Sequence, residues 1–99
     1  MNIKIQTVHF NADQKLIDFT QKKVEKLMKF YDAIVSSEII FRLDKNQKEE
    51  NKIAEIKLEI PGSDLFAKRQ CKTFEEAVDE VIDALKKQVT KHKEKQRGV

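Results

Sequence analysis

The C-terminal third of the chain carries the pattern that most constrains its fold. Beyond Thr73, apolar residues recur at the 3.6-residue period of a helix, with charged residues between them. The apolar positions are Phe74, Ala77, Val78, Val81, Ile82, Leu85 and Val89. Thr73 and Glu76 have capping-box spacing, which predicts a helix that starts there and reaches about Lys95. Such a helix must bury its apolar stripe against another layer, which the rest of the chain has to supply.

Four segments alternate between apolar and polar residues, which is the period of half-buried strands. They are residues 2–8, 35–44, 52–60 and 64–71. A polar loop separates the second from the third, and Pro61-Gly62 favours a type II turn between the third and the fourth. In the fourth segment Arg69 falls in the register of Leu65 and Ala67, which predicts a bulge or an early end to that strand.

A second helix is predicted between the first two strands. Its apolar stripe consists of Leu16, Thr20, Val24, Leu27 and Tyr31, with Ile17 beside it. Asn11 and Gln14 have the spacing of a capping box, so we expect this helix to run from about 12 to 31.

The order β-α-β-β-β-α predicts an α+β domain with a four-stranded mixed sheet and two helices packed on one face. The first crossover makes strands one and two parallel, and the two hairpins then alternate direction. Strands one, two and four therefore point the same way, and the helices that follow strands one and four should run parallel. We expect a single domain over residues 1–99, with a tail that frays from about residue 96.

The composition narrows the function classes. Charged residues make up 37% of the chain, yet its formal net charge is only +3, so the position of the charges matters more than their sum. No signal peptide or membrane span is apparent, and we expect a cytoplasmic protein. The single cysteine, Cys71, is interpreted as a reduced structural thiol, and it forms no metal-ligand pattern.

The lysines occupy particular helix faces. The first helix carries a stripe of them opposite its apolar residues, with Lys23 at its edge: Lys15, Lys22, Lys26 and Lys29. The second helix is acidic from Glu75 to Asp83 and basic thereafter, at Lys86, Lys87, Lys91, His92, Lys93, Lys95 and Arg97. Parallel helices would join the two basic ends into one surface suited to the phosphates of folded RNA. The helix dipole also favours this gradient, but it acts mainly in the terminal turns and does not require a mid-helix stripe.

Catalysis has no candidate site in the sequence. His9 and His92 lack patterned partners, the carboxylates lie on solvated faces, and no glycine-rich phosphate loop is present, so we expect neither enzymatic activity nor a cofactor. The open face of the sheet is a poor stacking platform for RNA bases, because Phe66 is its one aromatic among glutamates.

Two stretches resemble the bacterial ribosome hibernation-promoting and ribosome-associated translation inhibitor proteins, once labelled sigma-factor modulation proteins. They are IDALKKQVTKHKEK at 82–95 and FTQKKVEKLMKFYD at 19–32. The resemblance implies the fold derived above. It also implies binding in the small-subunit channel where mRNA and tRNA would lie, so that translation is inhibited by occlusion.

Carried over by position, the resemblance implies that certain basic residues contact ribosomal RNA: Lys23, Lys26, Lys86, Lys87, Lys91, His92 and Lys93. We add Lys22 and Lys29 because they lie close by. Because the sequence stops soon after the second helix, the resemblance implies the short hibernation-promoting type, and we expect no domain of the kind that pairs ribosomes in long relatives. A separate ribosome modulation factor therefore stays open as a second partner. Away from the ribosome, we expect the protein to be a monomer.

Two other classes remain open at this stage. A general module for structured RNA would bind many RNAs with similar affinity. A protein-interaction adaptor would instead use Ile40, Ile53 and Phe66 on the open sheet and would not need its lysines.

Overall fold

A computed structural model describes residues 2–8 and 10–96, with the backbone alone for Lys95 and Gln96. The elements are β1 (Asn2–Val8), α1 (Gln14–Phe30), β2 (Ser36–Leu43), β3 (Lys52–Ile60), β4 (Ser63–Cys71) and α2 (Phe74–Gln96). The predicted α+β class and element order are confirmed. His9 and the tail at 97–99 lie outside the described residues.

The sheet has the strand order β1-β2-β3-β4. β1 and β2 pair in parallel, whereas β2–β3 and β3–β4 pair antiparallel, as the direction count predicts. The helices run parallel, because Lys23 of α1 meets Asp79 of α2 and, further along both helices, Phe30 meets Lys93. Both C-terminal ends therefore lie at the same end of the domain.

The core lies between the sheet and the two helices. The predicted α1 stripe from Leu16 to Tyr31 is buried, and so is the α2 stripe from Ala77 to Val89. Phe74, at the start of α2, is half-buried and stacks on Phe10 with ring centroids 4.8 Å apart. Met28 and Ile34 complete the core, although the sequence stripe omits them.

The start of α1 differs from the prediction. Asp13, and not Asn11, is the N-cap, and its Oδ1 accepts a hydrogen bond of 2.8 Å from the backbone N–H of Leu16. A carboxylate at this position also complements the positive end of the helix dipole, which an amide does not. At α2 the Thr73 cap is confirmed, because its Oγ1 accepts from the backbone N–H of Glu76 at 3.0 Å.

The fourth strand is confirmed, but the bulge or early end predicted for it was wrong. β4 pairs with β3 in unbroken register from Ser63 to Cys71, with no bulge at Arg69. The reason is that β4 is an edge strand: Arg69 is on the core side of the sheet but reaches solvent beyond the edge, where its Nε lies 4.0 Å from Glu80 of α2. The Pro61-Gly62 turn is confirmed, and Gly62 has the positive φ of 78° that it requires.

Candidate nucleic-acid interface

The C-terminal ends of the two helices are joined by direct side-chain contacts. The ammonium of Lys93 lies 4.8 Å from the ring centroid of Phe30 and donates a 3.5 Å hydrogen bond to the Phe30 carbonyl. The rings of Tyr31 and His92 meet edge to face at 6.0 Å. These contacts bring the basic end of α2 beside the lysine stripe of α1.

Most of the predicted RNA-binding residues are available to a ligand. The fully exposed ones are Lys22, Lys26, Lys29, Lys87 and Lys91. Lys86 is half-buried. None of these six lysines forms an ion pair with another residue in the part of the chain that the structure describes. Their charge is therefore uncompensated by direct pairing.

Lys23 occupies a different environment from the other lysines. Its Nζ lies 3.1 Å from a carboxylate oxygen of Asp79 and 5.4 Å from the ring centroid of Phe19. An ammonium that already has a carboxylate partner releases less free energy on meeting a phosphate. Lys23 therefore helps to hold α1 against α2, and of the predicted lysines it is among the less available.

His92 and Lys93 likewise have partners within the fold. His92 is half-buried against Tyr31, and its Nε2 is buried without a hydrogen-bond partner among the described residues. The His92 ring therefore packs against Tyr31 at the end of the core. The Lys93 ammonium covers Phe30 and also lies 5.8 Å from the Tyr31 ring centroid.

A groove runs between the two helices. It is lined by Lys23, Lys26, Asp79, Ile82, Asp83 and Lys86. The carboxylates occupy the end nearer the start of α2, and the lysines of α2 begin at Lys86. The two-helix surface therefore has an acidic end and a basic end, and a polyanion is attracted to the latter.

Sequence reasoning missed Phe30, which lies at this basic end and is 46% exposed. The signal was present in the pattern. The predicted core stripe ends at Tyr31 and does not include Phe30, which indicates a side chain outside the core.

The opposite face of the sheet has a different character. Here Arg42 forms an ion pair with Glu55 at 2.7 Å, and the hydroxyl of Ser36 donates a hydrogen bond to Glu59. Ile40 is half-buried and Ile53 is buried between its cross-strand neighbours, which leaves Phe66 as the exposed apolar group of the three proposed for an adaptor. This is a small apolar surface for a protein partner.

Cys71 is buried and free. Its thiol donates a 3.2 Å hydrogen bond to Glu80, and burial together with that carboxylate raises the pKa of Cys71 to about 11. Ligand atoms of Cys71, Glu76 and Glu80 lie within 4.8 Å of one another. A protonated thiol is a poor metal ligand, so we interpret this cluster as a structural contact between β4 and α2. None of the helices described is long and apolar enough to cross a membrane.

Fold and surface together define a small α+β domain that presents the lysines of two joined helix ends on one side. The family described as Sigma 54 modulation protein / S30EA ribosomal protein matches residues 3–97, and the chain belongs to this family. This confirms the resemblance that the sequence indicated.

Individual relatives cover nearly the whole chain. A ribosome hibernation promoting factor from Klebsiella oxytoca is 33% identical over 95 residues, which are 96% of this chain and 96% of the relative. One from Pseudomonas putida is 29% identical over 99 residues, covering 100% of this chain and 93% of the relative. The solved structure of a ribosomal subunit interface protein from Coxiella burnetii superposes with a TM-score of 0.84 at 26% identity, covering 94% of this chain and 98% of that one.

Proposed function

We propose that this protein is a ribosome hibernation factor that binds the small ribosomal subunit through its basic two-helix surface and inhibits translation by occlusion. The observation that carries the proposal is the joining of two lysine-rich helix ends by the Lys93–Phe30 and His92–Tyr31 contacts. Its relatives, which are named as hibernation promoting factors and a subunit interface protein, support the same role.

The proposed surface is suited to folded RNA rather than to a small ligand. Exposed lysines of α1 and α2 lie on the same side of the domain, and phosphates spaced along an RNA backbone can meet several of them at once. The residues proposed to contact ribosomal RNA are Lys22, Lys23, Lys26, Lys29, Lys86, Lys87, Lys91, His92 and Lys93. Within this set, the exposed and unpaired lysines should contribute most.

Occlusion requires no chemical step. A rigid domain held by phosphate contacts in the mRNA and tRNA channel would exclude both ligands by its volume alone. The covered helix–sheet core supplies that rigidity, since α1 and α2 both pack on one sheet and on each other. Its place of action would be the cytoplasm, where ribosomes are.

The test is sedimentation of the purified protein with isolated small and large ribosomal subunits, together with translation in a reconstituted extract. We expect the protein to pellet with the small subunit and to reduce peptide synthesis in proportion to its occupancy. A protein that stays in the supernatant at low salt would overturn the ribosome proposal. Equal binding to both subunits and to unrelated structured RNAs would favour a general RNA-binding module instead.

A further inference from the structure

We propose that Phe30 is a stacking platform for an unpaired base of the bound RNA. This inference rests on the proposed function and deepens it, because it specifies single-stranded or bulged RNA, and not duplex alone, at one point of the surface. The lysines can hold phosphates of any sequence or shape, whereas an aromatic ring requires a base that is free to leave its own stack.

Phe30 stays exposed despite its contact with Lys93. The side chain is 46% exposed at the last residue of α1, while the next residue, Tyr31, is buried in the core. Among the described residues, two other large hydrophobic side chains are as exposed as Phe30, namely Val35 and Phe66. Phe66 lies on the opposite side of the sheet. Phe30 is thus the exposed aromatic group on the helical side of the domain.

The surroundings of Phe30 are cationic. Lys26 precedes it by one helical turn and so lies on the same face of α1, and Lys29 is its neighbour in sequence. The Lys93 ammonium lies over the ring at 4.8 Å and is also hydrogen-bonded to the Phe30 carbonyl. A cation over one face holds the ring in place before a ligand arrives, and the part of the side chain that remains exposed is available for stacking.

The Phe30 ring could contact either an apolar side chain of a protein or the base of a nucleotide, and charge complementarity decides between them. An apolar side chain of a ribosomal protein would gain little from the three neighbouring ammonium groups. A nucleotide uses both features at once, because its base stacks on the ring while its phosphate meets the lysines. We therefore assign the occupant as a nucleotide.

The variant that tests this assignment is Phe30→Leu, which keeps an apolar side chain but removes the aromatic face. Its affinity for purified small subunits should fall by roughly 5- to 150-fold, which corresponds to the loss of one stacked base. Phe30→Tyr should restore binding to near the wild-type value. Phe66→Leu is the matched control, since it removes an equally exposed aromatic from the other side of the sheet, and it should bind as the wild type does.

Two further readouts separate stacking from other roles. Stacking releases no counterions, so Phe30→Leu should leave the salt dependence of binding unchanged while lowering affinity at every salt concentration. Ultraviolet irradiation of the wild-type complex, followed by mass spectrometry, should find a nucleotide adduct on Phe30 and none on Phe66.

The outcomes are distinguishable from a failure of the proposed function. If the wild-type protein does not bind small subunits, the proposed function fails. If the wild type binds and Phe30→Leu binds equally well, the function stands and the stacking inference is wrong. A loss of affinity accompanied by a cross-link from Phe30 to a ribosomal protein would also overturn it, because the occupant would then be a protein.

Discussion

Replacing Lys26, Lys87 and Lys91 by glutamine perturbs the proposed RNA surface where it is least engaged with the rest of the fold. All three side chains are exposed, and none has an ion-pair partner among the described residues. Six lysines of the surface are unpaired in this sense, so a log–log plot of binding constant against salt should have a slope of about −5 for the wild type. Each lysine removed should lower its magnitude by about one, which leaves a slope of about −2.

The difference is large enough for a simple assay. Between 0.1 and 0.2 M salt, the affinity of the wild type for small subunits should fall about 30-fold and that of the variant about 4-fold, as measured by anisotropy of a labelled protein. The control is a second triple variant with the same change in net charge, made around the β2–β3 loop by replacing Lys45, Lys48 and Lys52 with glutamine. Equal slopes for the two triple variants would refute the reasoning, since diffuse charge and not the joined helix ends would then drive association.

Four further predictions concern the fold, the pairing within the surface and the Cys71 thiol. Leu85→Ala should lower the free energy of unfolding by about 2 to 5 kcal/mol in urea titrations, because it opens a cavity at a fully buried position; an unchanged midpoint would show that the core is misassigned. Asp79→Asn should free the Lys23 ammonium and steepen the salt slope by about one, and an unaltered slope would mean that Lys23 meets no phosphate. Iodoacetamide should alkylate native Cys71 at least about 100-fold more slowly than the unfolded chain, because burial and Glu80 raise its pKa from 9.0 to about 11. Because the pKa is higher in the folded protein, the unfolded chain loses the thiol proton first as the pH rises. The contribution of Cys71 to the free energy of unfolding should therefore be present below pH 9 and decline towards pH 11. A Cys71→Ala variant with the same alkaline decline would contradict this.

The sequence predicts most of this fold because its periodicities are clean. The alternation in β2 and β3 and the 3.6-residue repeat of α2 each allow only one assignment of the core face. The parallel strands of the first crossover and the two hairpins that follow then determine the direction of both helices. The two errors were local. Asn11 and Asp13 are both good caps, and only the path of the chain after Phe10 decides between them. An arginine on the core side would be buried only if β4 were a central strand. β4 is instead an edge strand, and that position depends on the pairing of the whole sheet rather than on the sequence of β4.

The site was predicted as a set of residues but not as a set of contacts. A helical wheel indicates that Lys23 and Lys26 lie on nearby faces, yet it cannot show that Lys23 meets Asp79 across the interhelical groove. It likewise places Phe30 off the core stripe without showing that Lys93 of the other helix lies over its ring. Both features depend on the relative position of α1 and α2 along their axes, which the period of either helix alone does not specify.

The most direct test of the central claim is to find which side of the domain faces the small-subunit RNA. In a Cys71→Ala background, a photoreactive probe can be attached to a cysteine at Thr90, which is exposed on the basic half of α2, or at Gln6, which is exposed on the open face of the sheet. We predict cross-links to small-subunit RNA from position 90 but not from position 6, and we expect bound mRNA and tRNA to abolish them. Cross-links that are as strong from position 6, or that persist when the channel is filled, would contradict the account.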